Sequence, residues 1–420
     1  LYLISPNKTE DGLINGSEYL NVLDKIYSAI GDKKIISAYA LGMGGICEAI
    51  AKMSFGNTVG AKIENLSADE FFEKNYGAIV VEATSALDFG KEIGTTLADP
   101  IIEALGEKFE INQLYDLWNG VLLSVYGMDS TQGSDDVEII ENNKKFTGSM
   151  VNLGAKPRVL IPVFPGTNSE YDTQLAFNAA GADAKLCLVR NLNSQMLNDS
   201  TELIAKEIKN SQIIVFPGGF SGGDEPDGSG KFMTAVFAGG KVREAMDEFV
   251  TEDKLILGIC NGFQALVKLG LLPYGKITKV TEESPTLTFN TIARHQAKLV
   301  DVRLSTVNSP WLMGDSVGDI YTVPISHGEG KFVAPDEVIR ELIKKGQIAS
   351  QYVNPQGVPT MDIRYNPAGS LYGIESVISE NGKIYGKMGH NERLGSSLYK
   401  NGNIKGNMQI FNNAVKYFKG

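Results

Sequence analysis

The chain has 420 residues, 43% of them hydrophobic, enough to bury cores in two or three domains. A formal charge of −11 and a pI near 5.0 exclude a nucleic-acid backbone or an anionic membrane surface as the main partner, because both are held by clustered Lys and Arg. No apolar run approaches the roughly 18 to 20 residues of a membrane span, and no basic-then-apolar leader is present, so a soluble cytoplasmic protein acting on small molecules or other proteins is expected.

The chain opens on the apolar run Leu1-Tyr2-Leu3-Ile4 rather than on Met, which reads as a portion of something longer. Apolar periodicity then predicts a strand over 33–41, a helix over 45–55, a strand over 58–63, a helix over 68–75 and a strand over 76–83, an α/β pattern. Apolar positions at helical spacing follow, with Ile101, Leu105, Leu114, Leu117, Trp118, Leu122 and Val125 broken near 106–109, and predict two helices. Between 128 and 156 the composition shifts to Ser, Asp, Asn, Gly, Lys and Thr, and a linker is expected there, between a first domain over 1–127 and a second over 157–420.

The second domain reads more regularly. Strands over 159–164, 185–189, 213–216 and 255–259 alternate with helices over 168–180, 195–208, 233–249 and 262–269. Short apolar runs alternating with amphipathic helices predict an α/β fold with a doubly wound, mostly parallel sheet. Further strand-like runs lie at 298–304, 321–326, 348–353, 373–378 and 383–388, with helices near 335–345 and 408–418.

Three cysteines, Cys47, Cys187 and Cys260, stand far apart with no Cys-x-x-Cys pair, the pattern of reduced thiols. Only Cys260 has chemical context. Leu255-Ile256-Leu257-Gly258-Ile259-Cys260-Asn261-Gly262-Phe263-Gln264 is an apolar strand running into a helix, with glycines two residues before and after the cysteine, the strand-to-helix elbow of Gly-x-Ser-x-Gly hydrolases with sulfur in place of oxygen. The helix start brings partial positive charge and backbone N–H groups to a thiolate and an oxyanion, with the Asn261 N–H as the obvious donor. A second donor is expected from the Gly-rich loop Pro217-Gly218-Gly219-Phe220-Ser221-Gly222-Gly223-Asp224, which on its own reads equally as a plain turn or a phosphate cradle. The bland alternative for Cys260 is a small buried hydrophobe.

A cysteine hydrolase needs a histidine to carry protons and a third group to orient it. Of His295, His327 and His390, two stand in His-x-Glu, as Ser326-His327-Gly328-Glu329 and Gly389-His390-Asn391-Glu392, and spacing alone does not separate them. A structural histidine and a solvated surface carboxylate are the alternatives for His390 and Glu392.

Six ordered motifs carry a resemblance across the second domain. They are Val163-Phe164-Pro165-Gly166-Thr167-Asn168 with Asp172, the Gly218 to Asp224 loop, Gly258 to Gln264, Ala293-Arg294-His295, His327-Gly328-Glu329-Gly330-Lys331-Phe332, and Gly386-Lys387-Met388-Gly389-His390-Asn391-Glu392-Arg393. The segment resembles the class I glutamine amidotransferases of flavodoxin-like fold, most closely the glutaminase domains of phosphoribosylformylglycinamidine synthases. The resemblance implies Cys260 as nucleophile, His390 as base and Glu392 as its orienting group, with His327 in a substrate or structural role. It also implies that L-glutamine is held near Gly219, Phe220, Asn261 and Gln264, and that its ammonia serves an ATP-dependent amidation of formylglycinamide ribonucleotide. The family's usual Pro-His-Pro-Glu is Gly389-His390-Asn391-Glu392 here, which loosens the backbone at the base.

Residues 34–83, with Leu41-Gly42-Met43-Gly44-Gly45-Ile46-Cys47, resemble the C-terminal part of the aminoimidazole-ribonucleotide-synthetase-like module that precedes the glutaminase in the large single-chain synthases. That implies Gly44 and Gly45 as phosphate contacts at a helix start, the alternative being a helix-packing glycine pair. It also implies that the ATP and Mg of the complete enzyme are bound mainly by parts outside this chain; no metal ligand is assigned. A cysteine peptidase or DJ-1-like thiol protein is the alternative chemistry on a related sheet, and a non-catalytic module with a degenerate glutaminase fold is a third.

Overall fold

The computed structural model describes residues 1–121, 137–220, 230–395, 398–402 and 404–419. The chain divides into two compact units, Leu1–Gly127 and Met128–Gly420. Among the described residues no helix is long and apolar enough to cross a membrane.

In the first unit, the apolar run at the start is a strand, Tyr2–Ile4, paired antiparallel with Ile79–Ala83 on one side and Lys91–Glu92 on the other. Ile35–Ala40 completes this four-stranded sheet. Helix Gly16–Gly31, which the sequence pattern did not reveal, is capped by the Asn15 side chain and turns Ile26 and Ala29 inward. A second sheet runs in the order Gly94–Leu97, Gly60–Ile63, Ile101–Ala104, Glu107–Glu110.

The two helices expected between 93 and 126 are corrected here: the described part holds three strands and one helix, Ile111–Gly120. Ile101–Ala104 and Glu107–Glu110 form a hairpin whose two central residues, Leu105 (φ 55°) and Gly106 (φ 83°), are both left-handed, the backbone of the tightest twisted hairpin turn. Ile102 and Ala104 are buried while their neighbours face outward by half, a period of two that the nearby helical spacing of Leu114 and Leu117 masked. Leu122 and Val125 lie outside the described residues.

The second unit is built on a nine-stranded sheet in the order Asp183–Leu188, Arg158–Val163, Ile213–Phe216, Leu255–Ile259, Ile384–Lys387, Ile374–Ile378, Ile348–Val353, Gln296–Leu304, Ile320–His327. The first five strands are parallel; every pairing from Ile374–Ile378 onward is antiparallel. The sheet is therefore mixed, not mostly parallel. The connection of Ile374–Ile378 to Ile384–Lys387 is too short for a parallel crossover, which needs a dozen residues or more, so the chain turns straight back. The helix expected over 233–249 is two, Lys231–Phe237 and Gly240–Phe249, parted at Gly239-Gly240. Within the stretch read as a linker, residues 137–156 pack onto this unit: the buried Ile140 donates its N–H to Gln351 Oε1 at 2.9 Å, and Asn142–Lys145 pairs with Thr306–Val307.

Candidate active site

Strand Leu255–Ile259 lies between Ile213–Phe216 and Ile384–Lys387 and is buried along its whole length, which is why its sequence is an unbroken apolar run. At Cys260 the backbone turns sharply, to φ 52° and ψ −108°, and helix Asn261–Lys268 begins at the next residue. A non-glycine residue in such a conformation is strained by about 1 to 3 kcal/mol and holds only where its surroundings over-determine it. They do so here. A Cβ at Gly262 would lie 1.9 Å from the Phe216 carbonyl oxygen, and one at Gly258 2.6 Å from Leu266 Cδ1, so both bracketing glycines are required by close packing. The Cys260 N–H donates to the Lys387 carbonyl at 2.8 Å, and its sulfur lies 3.8 Å from the Ser326 carbonyl oxygen.

Parallel register sets Ile259 opposite Lys387, so the residues that follow the two strands emerge at the same sheet edge. His390 is among them. Its N–H donates to the Pro324 carbonyl at 2.9 Å, and its Nδ1 is 2.6 Å from Glu392 Oε1, both side chains being buried. A carboxylate on Nδ1 makes that nitrogen the donor and leaves Nε2 for chemistry. Nε2 is buried and makes no hydrogen bond of ordinary geometry. Gly218 closes the floor: a Cβ there would lie 2.7 Å from His390 Cε1 and 3.5 Å from Cys260 Cβ. Burial acts most strongly on the His390 pKa and lowers it, but the Glu392 charge, with hydrogen bonding to Cys260 and Glu392, outweighs burial and lifts the pKa to about 10.

The other His-x-Glu histidine has a different environment. His327 Nδ1 is 3.1 Å from Asn290 Oδ1, an amide where His390 has a carboxylate. Burial first, then the charges of His390 and His295, push its pKa down to about 3, so His327 is neutral. Buried Asn290 also donates to the His327 and Arg294 carbonyls and accepts from the Gly330 N–H, tying this loop together.

Of the residues expected around glutamine, Asn261 and Gln264 lie in the first turn of the helix that follows Cys260. Asn261 Nδ2 donates to Gln264 Oε1 at 3.1 Å, and Gln264 Nε2 donates to the Glu329 carbonyl. Gly219 (φ 148°) pairs with Thr167, and a Cβ there would lie 2.6 Å from the Gly166 carbonyl oxygen, so the turn at 165–168 backs the Gly-rich loop. Phe220 is 57% exposed with its ring 5.9 Å from that of His295, whose Nε2 lies 2.9 Å from Ser326 Oγ. Loop residues Ser221 to Asp224 fall outside the described residues. Arg393 reaches back to Asp172 at 3.1 Å and to the Asn168 carbonyl at 2.9 Å, clamping the His390 turn to the start of helix Glu170–Ala180. Ser169, to which no role was assigned, accepts from the Gly218 N–H at 2.8 Å. Its only signal in the sequence was its place beside the Asn168 motif.

Gly44 and Gly45 lie in the first unit, at the start of helix Gly45–Phe55. The Gly44 N–H donates to Glu48 Oε2 at 2.9 Å, and Glu48 pairs with Lys52 at 2.6 Å, so the helix's own carboxylate stands where a phosphate would. A Cβ at Gly45 (φ 62°) would lie 2.6 Å from the Glu73 carbonyl oxygen, a close packing of backbone on backbone.

Residues 156–418 match the family model of the CobB/CobQ-like glutamine amidotransferase domain. The chain is 32% identical over 283 residues to phosphoribosylformylglycinamidine synthase subunit PurQ of Methanococcus maripaludis, covering 62% of this chain and 97% of that subunit. It is 31% identical over 241 residues to the PurQ subunit of Aquifex aeolicus, covering 56% of this chain and 90% of that subunit. Among solved structures, a chain from the structure of PurLQS from Thermotoga maritima aligns with a TM-score of 0.46 at 25% identity, over 62% of this chain and 99% of that one.

Proposed function

Because this chain belongs, over residues 156–418, to the CobB/CobQ-like glutamine amidotransferases, we propose that Cys260, His390 and Glu392 hydrolyse glutamine and that the ammonia serves the formylglycinamidine step of purine biosynthesis. The observation that carries this reading is the meeting, at one sheet edge, of a strained cysteine elbow with a buried histidine bonded to a buried carboxylate.

The chemistry is acyl transfer. Cys260 Sγ attacks the side-chain amide carbon of glutamine, and the thiol proton resides on His390, whose imidazolium Glu392 stabilises. The N–H groups of Asn261 and Gly219 meet the oxyanion. His390 passes its proton to the leaving nitrogen, the carbon–nitrogen bond breaks and ammonia departs, leaving a γ-glutamyl thioester. Water, giving a proton to His390, then cleaves the thioester to glutamate and free thiol.

In the same reading the first unit is the C-terminal part of an aminoimidazole-ribonucleotide-synthetase-like module, and 1–127, 128–156 and 157–420 are module, connector and glutaminase of one large synthase. Formylglycinamide ribonucleotide, ATP and Mg then meet mainly outside this chain, where ATP would drive the amidation. The helix start at Gly44 is closed by Glu48, so the described residues there do not form an open phosphate cradle. Relatives named as PurQ subunits support partners equivalent to the remainder of such a synthase.

A glutamine-analogue diazoketone tests the nucleophile, read by intact-protein and peptide mass spectrometry with Cys260→Ala as control. One adduct per chain on the peptide carrying Cys260 is expected. Cys47 and Cys187 should stay unlabelled, since burial, followed by a neighbouring glutamate, raises both thiol pKa values. No adduct, or equal labelling of all three cysteines, would overturn the reading.

A further inference from the structure

The turn carrying His390 has two flanking residues that contribute little stiffness of their own, Gly389 and Asn391. Glycine is needed at 389 because a Cβ there would lie 2.6 Å from Val323 Cγ2 and 3.1 Å from Glu375 Oε1. Its conformational freedom leaves the base to be fixed by something else.

Behind the turn lies a charged pair that the reaction scheme does not use. Lys387 and Glu375 have side chains at 0% exposure, with Nζ 3.5 Å from Glu375 Oε1. Both reach the flanks of His390. Glu375 Oε1 accepts the Gly389 N–H at 2.7 Å, and Lys387 Nζ donates to Asn391 Oδ1. Glu375 is itself held by Ser350 Oγ, which donates to Oε2 at 2.6 Å, and Asn391 Nδ2 donates to Asn407 Oδ1 at 2.8 Å. The Lys387 carbonyl meanwhile accepts the Cys260 N–H at 2.8 Å, so one residue is tied to both the nucleophile and the turn that carries the base.

We propose that the buried Lys387–Glu375 pair is a positioning device that holds the Gly389–Asn391 turn, and with it His390, in register with Cys260. Stability alone is a poor reason for such a pair, because taking two charges out of water costs about as much as their attraction returns, and apolar replacements often do as well. What an apolar pair does not supply is a directed acceptor for the Gly389 N–H and a directed donor to Asn391. The inference rests on the glutaminase reading for its kinetic consequence but not for its structural one.

The test compares wild type with Lys387→Met/Glu375→Leu, which removes both charges and the acceptor, and with Lys387→Met/Glu375→Gln, whose amide oxygen still accepts the Gly389 N–H. Three quantities are read: kcat and KM for glutamine hydrolysis, and the titration of His390 followed by magnetic resonance with histidine-selective nitrogen labelling, simplified by there being only three histidines in the chain. The Leu variant should lose at least tenfold in kcat with KM within twofold, its His390 should titrate at least one pH unit lower, and the Gln variant should recover most of both. A folded Leu variant with wild-type kcat and wild-type His390 titration would overturn the proposal. If the Leu variant fails to fold, Asn391→Ala carries the test: a kcat at least threefold lower with His390 titrating lower supports it, and no change in either overturns it. If wild type hydrolyses no glutamine, the functional reading fails by itself and the His390 titration alone decides this one.

Discussion

At the scale of single residues, the decisive relation is between His390 and Glu392. With a pKa lifted to about 10, against an unfolded value near 6.5, His390 contributes stability that is complete below about pH 6.5 and is lost as the pH rises through 10. Glu392→Gln removes the charge while keeping the shape. Its expected result is an alkaline limb of kcat/KM moved to lower pH and a rate at neutral pH lower by roughly 10²-fold, the scale of general acid–base catalysis, measured as glutamate release between pH 6 and 10.5. A Gln variant with an unmoved alkaline limb would mean that Glu392 does not set the proton affinity of the base. The elbow was legible in the sequence because its demands are local: an apolar strand, a cysteine and a glycine at each side are packed within ten residues. Glu375 and Lys387 left no such trace, since a buried pair formed between neighbouring strands has no spacing to read. The same holds for Asn290, whose side chain binds the His327 ring and backbone carbonyl, the Arg294 carbonyl and the Gly330 N–H, and for the burial that, with the charges of His390 and His295, keeps His327 neutral although its local motif matches that of His390.

Among elements, the fold is legible in the sequence where period and burial agree and hidden where they compete. Strands Ile213–Phe216 and Leu255–Ile259 have the expected bounds, because continuous apolar runs are what a sheet covered on both faces requires; Ile348–Val353 has them too, although buried Ser350 and Gln351 interrupt its apolar run. The hairpin at 101–110 was lost because Leu105 occupies a left-handed turn position that carries no glycine or asparagine signal. That position yields a prediction: Leu105 is 45% exposed, so Leu105→Asn gives up little burial and restores the Asn-Gly pair preferred in this turn. A gain of about 0.5 to 1 kcal/mol is expected, read as a higher denaturant midpoint for the first unit. A loss would show that the leucine side chain supports the hairpin. The antiparallel half of the main sheet was hidden for another reason: strand runs can be seen in a sequence, but which neighbour each one takes is a long-range choice.

Over the whole molecule, acid stability should be governed in part by His327. Its folded pKa near 3 lies below the unfolded value of about 6.5, so the unfolded chain takes up a proton that the folded one refuses. Stability attributable to this residue is intact above about pH 6.5 and declines as the pH falls toward 3, with a slope approaching 1.4 kcal/mol per pH unit. Denaturant midpoints of the second unit measured at pH 7.5 and pH 5 should therefore differ more in wild type than in His327→Gln; equal differences would place the acid sensitivity elsewhere. The left-handed backbone at Cys260 has a consequence of another kind. At ordinary buried positions glycine is the worse guest than alanine, yet here the Cβ itself is the burden, so Cys260→Gly should melt at a higher temperature than Cys260→Ala, reversing the usual order. Cysteine carries the same Cβ as alanine, so the elbow keeps its sulfur under a standing backbone tension at the one point where strand gives way to helix.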